Sequence, residues 1–402
     1  MRYGGAPDAS VRSRAGRVLT LPGCRCNDPV IRSTRTIQQT SGRVRTGEVT
    51  VGERPSIKTV AAAAGVSPST VSNAYRRPEQ MTPAVRERVL DAADRLGYPG
   101  PNPIASSLRS RRTGSVGVLF AQDLTYAFSD PYCLDLLTGI AQVASEQATN
   151  VLLMPVGPHV VSRTYSRDEE LRLLQSVRQA ALDGVIADGV DPTHPVLRVL
   201  AERGVPVVGT VDGDGPCVLV DDHDAAVVVG AHLRGLGHRR VVVVADSMDD
   251  DDVALADPDD PRIFPYARLR ARGAEVGLGA GAQVATVSAG QNTPAAGRAA
   301  AALALGLPLA PTAIVATTDV LALGVLDELR ERGLVAGRDV SVTGFDDVPR
   351  AAGLGLTTVR QPVQDKGRLM ARMLVDPLVE AARVTLPTDL VVRTSTGPAP
   401  QG

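Results

Sequence analysis

The hydrophobic and polar positions divide the 402-residue chain into stretches of different rhythm. Residues 1–53 follow neither a 3.6-residue nor a two-residue period and are rich in Arg, Ser, Thr and Gly. Such a composition cannot bury a core, so this stretch reads as a disordered extension. Helical spacing begins after Ser56, a good N-cap, where Ile57, Val60, Ala61 and Ala64 share one face; Gly65 is placed to close the helix in the left-handed region. Ser67 caps a second helix with Pro68 in its first turn and Val71, Ala74 and Tyr75 facing inward. A third opens at Thr82 and Pro83 and carries Val85, Val89, Ala92, Ala93 and Leu96 to Gly97. Residues 54–100 therefore read as three short helices, and the spacing Ala61, Gly65, Val71 suits a helix-turn-helix.

Ile104 to Arg109 forms a short stretch that cannot hold a helix by itself in water, which makes residues 101–114 a hinge and linker. From Ser115 the rhythm changes to apolar strands alternating with helical segments, the pattern of βαβ units and parallel sheets. Strands are expected at Val116–Phe120, Asn150–Met154, Gly184–Ala187 and Val205–Gly209, with a helix over Pro131–Gln147. A second series is expected at Arg240–Ala245, Gln283–Val287, Ala313–Ala316 and Asp339–Thr343. The predicted fold class is an all-α headpiece plus an α/β domain of two Rossmann-like lobes over residues 115–396, with residues 397–402 as a tail. Ligands of open α/β sheets sit at the carboxyl ends of strands. Those ends carry Gln122, Asp123, Asp212, Thr318, Asp319 and the run Phe345-Asp346-Asp347, with Arg270 on a nearby helix.

Charge sharpens this picture. The first 114 residues hold 19 basic and 8 acidic residues, a net of +11, whereas the remaining 24 basic and 36 acidic residues give −12. A positive head on a negative body suits a head that meets phosphates. No run approaches the roughly 18 to 20 apolar residues of a membrane span, and the N-terminus lacks an apolar leader, so the expected compartment is the cytoplasm. Cys24, Cys26, Cys133 and Cys217 are scattered and lack zinc spacing, and the five histidines stand singly; no metal or cofactor is expected. No GxGxxG, phosphate loop or nucleophile elbow is present, which argues against an enzyme. The acidic stretch DSMDDDDVALADPDDP reads as a solvated loop, and His238, in the turn before a strand, as structural.

The segment RPSIKTVAAAAGVSPSTVSNAYRRPEQMTPAVRERVLDAADRLGYPGPNPIASSLRSRRTGSVGVLF closely resembles the headpiece and hinge of the lactose-repressor/galactose-repressor family of regulators. The likeness continues through LRGLGHRRVVVVA, AIVATTDVLALGVL, DVSVTGFDD and LTTVRQP. It implies a periplasmic-binding-protein-like effector domain, with one lobe over 115–221 plus 362–389 and the other over 222–361 plus 390–396. By that resemblance the second helix enters the major groove of double-stranded DNA. Pro68, Ser69 and Asn73 then face base edges, Thr70 and Ser72 are fitted to backbone phosphates, and Thr59 is a further DNA-binding residue. Pro68 departs from the polar residue common in the family. Leu108 matches a leucine that pries a base step open in the minor groove, with Arg109 beside it for phosphate neutralisation. Arg270 and Asp346 match an arginine and an aspartate that bind effector sugars, with Asp123, Asp212, Thr318 and Asp319 nearby. Thr318 stands where the family commonly has Asn. The implied activity is a homodimeric repressor of a near-palindromic operator, modulated by a small carbohydrate. An activator, a purine or other non-sugar effector, and a periplasmic-type sugar-binding protein are the alternatives.

Overall fold

The computed structural model describes residues 55–101, 112–122, 124–156, 167–248 and 253–401. It divides into two compact units, the first ending at Pro99.

In the first unit, α1 (Ile57–Ala64), α2 (Pro68–Arg76) and α3 (Pro83–Leu96) surround a core of Val60, Ala61, Ala64, Val71, Ala74, Val89, Ala92 and Ala93. These are small side chains, so the helices approach closely. The expected caps are present. Ser56 and Thr59 form a reciprocal capping box, Gly65 closes α1 at φ 65°, and Ser67 accepts from the Thr70 amide. Tyr75 is only half-buried and meets Tyr98 edge to face, with 6.3 Å between ring centroids. Leu96, the last residue of α3 before Gly97, is 39% exposed.

The second unit has two lobes, each a sheet between helical layers. The first lobe contains β1 (Ser115–Phe120), α4 (Leu124–Ser129), α5 (Pro131–Glu146), β2 (Asn150–Pro155), α6 (Arg167–Gln179), β3 (Gly184–Asp188), α7 (Pro195–Glu202), β4 (Val207–Gly209) and β5 (Cys217–Val220). The chain then crosses into the second lobe for α8 (Asp222–Gly235), β6 (Arg240–Ala245), β7 (Ala254–Ala256), α9 (Pro265–Leu278), β8 (Gln283–Ser288), α10 (Pro294–Leu305) and β9 (Ala313–Ala316). That lobe continues with α11 (Asp319–Glu331), β10 (Ser341–Asp346), α12 (Pro349–Gly353) and β11 (Thr357–Arg360). A return crossing brings α13 (Val363–Val375) and β12 (Arg383–Leu386) to the first lobe, and β13 (Asp389–Val391) lies back in the second.

The strand orders are β12-β5-β4-β3-β1-β2 and β13-β11-β10-β9-β6-β8-β7. All pairings are parallel except β7 with β8 and β11 with β13. Central strands such as β3 and β9 are buried on both faces, as parallel sheets covered by helices require. Among the described residues no helix is long and apolar enough to cross a membrane, and no cluster of His, Cys, Asp and Glu is placed to hold a metal ion.

Helix pairing depends on small residues. Helices α8 and α9 cross where Gly230 and Gly277 meet; a Cβ on Gly230 would fall on the Ala274 carbonyl, and one on Gly277 on the Val227 carbonyl. After β13 the chain is not loose. Ser395 donates to the Val342 carbonyl at 2.6 Å, the Gly397 carbonyl lies 3.0 Å from His238 Nε2, and the Ala399 amide reaches the Leu236 carbonyl. His238 is fully buried, with Nδ1 2.9 Å from the Thr312 hydroxyl. Because a carbonyl can only accept, Nε2 carries the proton and Nδ1 accepts.

The acidic stretch differs from its reading as a solvated loop. Asp246 is fully buried, accepting from the hydroxyls of Tyr266 and Thr317, and Ala254–Ala256 forms the edge strand β7. Aromatic and hydroxyl donors from neighbouring elements provide for this carboxyl, which no local charge count reveals.

Candidate functional site

In the headpiece, the exposed start of α2 presents Pro68 and Ser69, with Asn73 exposed one turn on; Thr70 and Ser72 are half-buried. The Ser67 hydroxyl lies 2.7 Å from that of Ser69 and 2.8 Å from that of Thr70, so both of these expected contact residues are engaged in the cap. Thr59 is likewise committed, accepting from the Ser56 amide and donating to the Ser56 carbonyl, both at 2.7 Å. Leu108 and Arg109 lie outside the described residues, as does Asp123.

A cleft of about 490 Å³ lies between the two lobes of the second unit, at the carboxyl ends of their strands. Helix α9 delivers Arg270 into it, 6% exposed. The Arg270 Nε and Nη2 each lie 2.8 Å from Asp222 Oδ1, and Nη1 donates to the Thr317 carbonyl at 2.6 Å. Its guanidinium sits 3.5 Å from the Phe345 ring centroid and 4.8 Å from that of Tyr266, a geometry suited to a flat cation. Although burial opposes its charge, Asp222 and Asp346 hold the pKa above the ordinary arginine value. Asp346 Oδ1 is 3.9 Å from Nη1 and accepts from Gln361 Nε2 at 2.6 Å. At the end of β10 Asp346 takes φ 118°, a conformation few side chains tolerate, and Asp347 follows at φ 58°. Burial pushes the Asp346 carboxyl well above the usual range; Arg270 opposes that shift and Asp319 adds to it.

The first lobe supplies the facing wall. Asp188, at the end of β3, accepts from Thr210 Oγ1 at 3.0 Å and from the Tyr132 hydroxyl at 3.2 Å. Lys366 of α13 places Nζ 3.2 Å from the same hydroxyl. Asp130 caps α5 and accepts from Tyr126 at 2.9 Å and from Asn292 of the opposite lobe at 3.1 Å. Burial raises the carboxyls of Asp130 and Asp188 and lowers the Lys366 ammonium.

Arg270, Asp346, Thr318 and Asp212 all line this cleft, but with different employment. Thr318 caps α11 through the Leu321 amide and donates to Asn292 Oδ1 at 2.6 Å. Asp212 is at the rim, gripped by both terminal nitrogens of Arg383. Asp319 does not line the cleft, contrary to expectation. Fully buried, it holds the Val348 amide at 2.8 Å and the Thr358 hydroxyl at 2.6 Å, thereby fixing the loop that carries Asp346. Burial pushes its carboxyl up to about 7. Tyr126, Asp130, Tyr132, Asp188, Asn292, Gln361 and Lys366 were missed, because no local spacing distinguishes them before the lobes are assembled.

Two family models match: bacterial regulatory proteins of the lacI family over residues 56–102, and the periplasmic binding protein-like domain over 231–396. An HTH-type transcriptional regulator of Mycolicibacterium smegmatis is 37% identical over 86% of this chain and 97% of its own length. The chain belongs to the lacI family. This lacI-family protein is thus a DNA-binding transcriptional regulator and not an enzyme. It is also 34% identical to the regulator IpsA of Corynebacterium glutamicum, over 81% of this chain and 94% of that one. Among solved structures, the regulator CelR in complex with cellobiose superposes with a TM-score of 0.59 at 29% identity, over 85% of this chain and all of that one. The lac repressor dimer bound to operator shares the fold, with a TM-score of 0.67 at 22% identity over 86% and 99% of the two chains.

Proposed function

We propose that this regulator represses transcription as a homodimer on a near-palindromic operator and that a small carbohydrate in the cleft weakens its grip. The observation that carries the effector reading is the convergence of Arg270, Asp222 and Asp346 from one lobe with Asp188, Lys366 and Tyr132 from the other around about 490 Å³. Vicinal hydroxyls donate and accept at once, which suits mixed walls of carboxyl, guanidinium and hydroxyl groups. A volume of this order accommodates a mono- or disaccharide. The cellobiose bound by CelR supports the same class of ligand.

DNA reading falls to Asn73, whose amide can pair with the major-groove edge of adenine, and to the start of α2 at Pro68 and Ser69. Thr59, Thr70, Ser72 and Arg109 serve phosphates, and Leu108 serves as the minor-groove wedge. Effector closure of the lobes shifts the relation between paired subunits, so sugar and operator disfavour each other by equal free energies. Genomic footprinting with and without a sugar panel, followed by gel shifts on the sites found, tests the whole reading. Protected near-palindromes released by one sugar are expected; a purine or amino acid that releases them while every sugar fails overturns the ligand class.

A further inference from the structure

Two hydrogen bonds cross the cleft directly from lobe to lobe. Asn292, in the loop between β8 and α10 of the second lobe, turns its Nδ2 toward the first, donating to the Tyr126 hydroxyl at 2.9 Å and to Asp130 Oδ2 at 3.1 Å. The Tyr126 hydroxyl donates in turn to Asp130 Oδ2 at 2.9 Å, which closes a ring of three side chains. All three line the cleft, and Asn292 and Asp130 are buried, at 7% and 5% exposed.

The Asn292 amide is held in one orientation. Thr318 Oγ1 accepts from the Leu321 amide at 3.2 Å and gives its single proton to Asn292 Oδ1 at 2.6 Å. With its oxygen tied back to its own lobe, Asn292 presents N–H groups to the other, where Asp130 accepts. Asp130 is itself fixed, since its Oδ1 caps α5 through the Cys133 amide at 3.0 Å. Thr318, Asn292 and Asp130 thus join the N-terminus of α11 to that of α5 across the gap, with a donor matched to an acceptor at every step. Thr318 stands where the family commonly has Asn, and its hydroxyl is taken up by the helix cap and by Asn292. Buried bonds of this kind gain from low-dielectric surroundings and are costly to leave unmade.

We propose that Thr318, Asn292, Asp130 and Tyr126 form a clasp that draws the two lobes together independently of any effector, with Thr318 as the positioning residue that aims Asn292 at Asp130. An effector then acts on an equilibrium that the clasp has already biased toward closure. The consequence for DNA rests on the repressor reading above: if closure weakens the grip on the operator, the clasp weakens it too.

Spin labels at Ala201→Cys on α7 and Ala352→Cys on α12, both exposed, report the separation of the lobes in the full chain. Cys24 and Cys26 are replaced by Ser, Cys133 and Cys217 are buried, and labelled chain diluted into unlabelled chain keeps the distance within one subunit. With no sugar added, the wild type is expected to populate a short distance beside a longer one. Asn292→Ala and Thr318→Val should each lower the closed-to-open ratio by about tenfold, whereas Thr318→Ser, which keeps the hydroxyl, should match the wild type. Tyr126→Phe, which deletes one oxygen, replaces Asn292→Ala if that variant does not fold. An unchanged distance distribution in the folded variant, or opening in Thr318→Ser as large as in Thr318→Val, overturns the clasp. In gel shifts without sugar the opened variants should hold operator more tightly, by at most the same factor. Opened lobes with unchanged operator affinity leave the clasp standing and remove closure as the step that releases DNA.

Discussion

Asn73 differs from its neighbours in how little the headpiece asks of it. Ser69 and Thr70 share the Ser67 cap, whereas Asn73 is exposed on α2 with an amide able to make paired contacts to one base. Replacing Asn73 by Ala should therefore cost about 1–3 kcal/mol on the operator and much less on random DNA. Gel shifts on both substrates would show it, and an equal loss on both would make Asn73 a phosphate contact instead. His238 permits a prediction in pH. Burial lowers its pKa below 6.5, so the folded chain holds it neutral while the unfolded chain takes up a proton. Its contribution is present in full above pH 6.5 and is lost as pH falls below that value. Thermal melts of wild type and His238→Gln should thus differ most near pH 7.5 and converge toward pH 5.5; a gap that widens on acidification would contradict the assigned tautomer. Asp346 could be picked out from sequence because it lies in the stretch DVSVTGFDD, and Arg270 because it matches an arginine of the resembling family. Asp319 was misplaced because it follows the carboxyl end of a strand, where ligand contacts are expected, while helix geometry turns its carboxyl inward onto Thr358.

At the scale of elements, glycine decides how closely helices pair. With Ala in place of Gly277, the new methyl would strike the Val227 backbone, which cannot swing aside as a side chain can. Destabilisation toward the upper end of roughly 1–3 kcal/mol is expected by denaturant titration of the effector domain. A neutral outcome would show that α8 and α9 can slide apart. Most strands were legible: Arg240–Ala245 and Ala313–Ala316 stand as expected, since continuous apolar runs bounded by polar residues mark buried parallel strands. The strand expected over Val205–Gly209 begins only at Val207, after Pro206, which lacks a ladder donor. That expected from Asp339 begins at Ser341, because the Asp339 carboxyl is drawn back to the Val335 amide. Strands β5, β7, β11, β12 and β13 were not foreseen; each is three or four residues long, and its partner, not its own pattern, makes it a strand.

For the molecule as a whole, two headpieces must reach half-sites about one helical turn apart, roughly 10 bp, and a closed two-fold assembly provides that spacing. Sedimentation of the full chain should therefore give a dimer, in the presence and absence of operator. A tetramer at working concentration would overturn the count. The lobes were recognisable in sequence from their alternating elements, yet the polar lining between them was not, because Asn292 and Asp130 meet only through the tertiary fold. The crossings between lobes also bear on how the chain is made. Neither sheet is complete until β12 and β13 exist, and α13, whose Met370 joins Leu136 and Ile140 in the first lobe's core, follows the entire second lobe in sequence. During synthesis the first lobe must therefore wait, its apolar interior uncovered and β5 unpaired on one side, while the ribosome completes its neighbour. A chain cut only slightly upstream of Arg383 would lack the last strand of each sheet and leave both lobes unfinished, with open strand edges of the kind that invite aggregation.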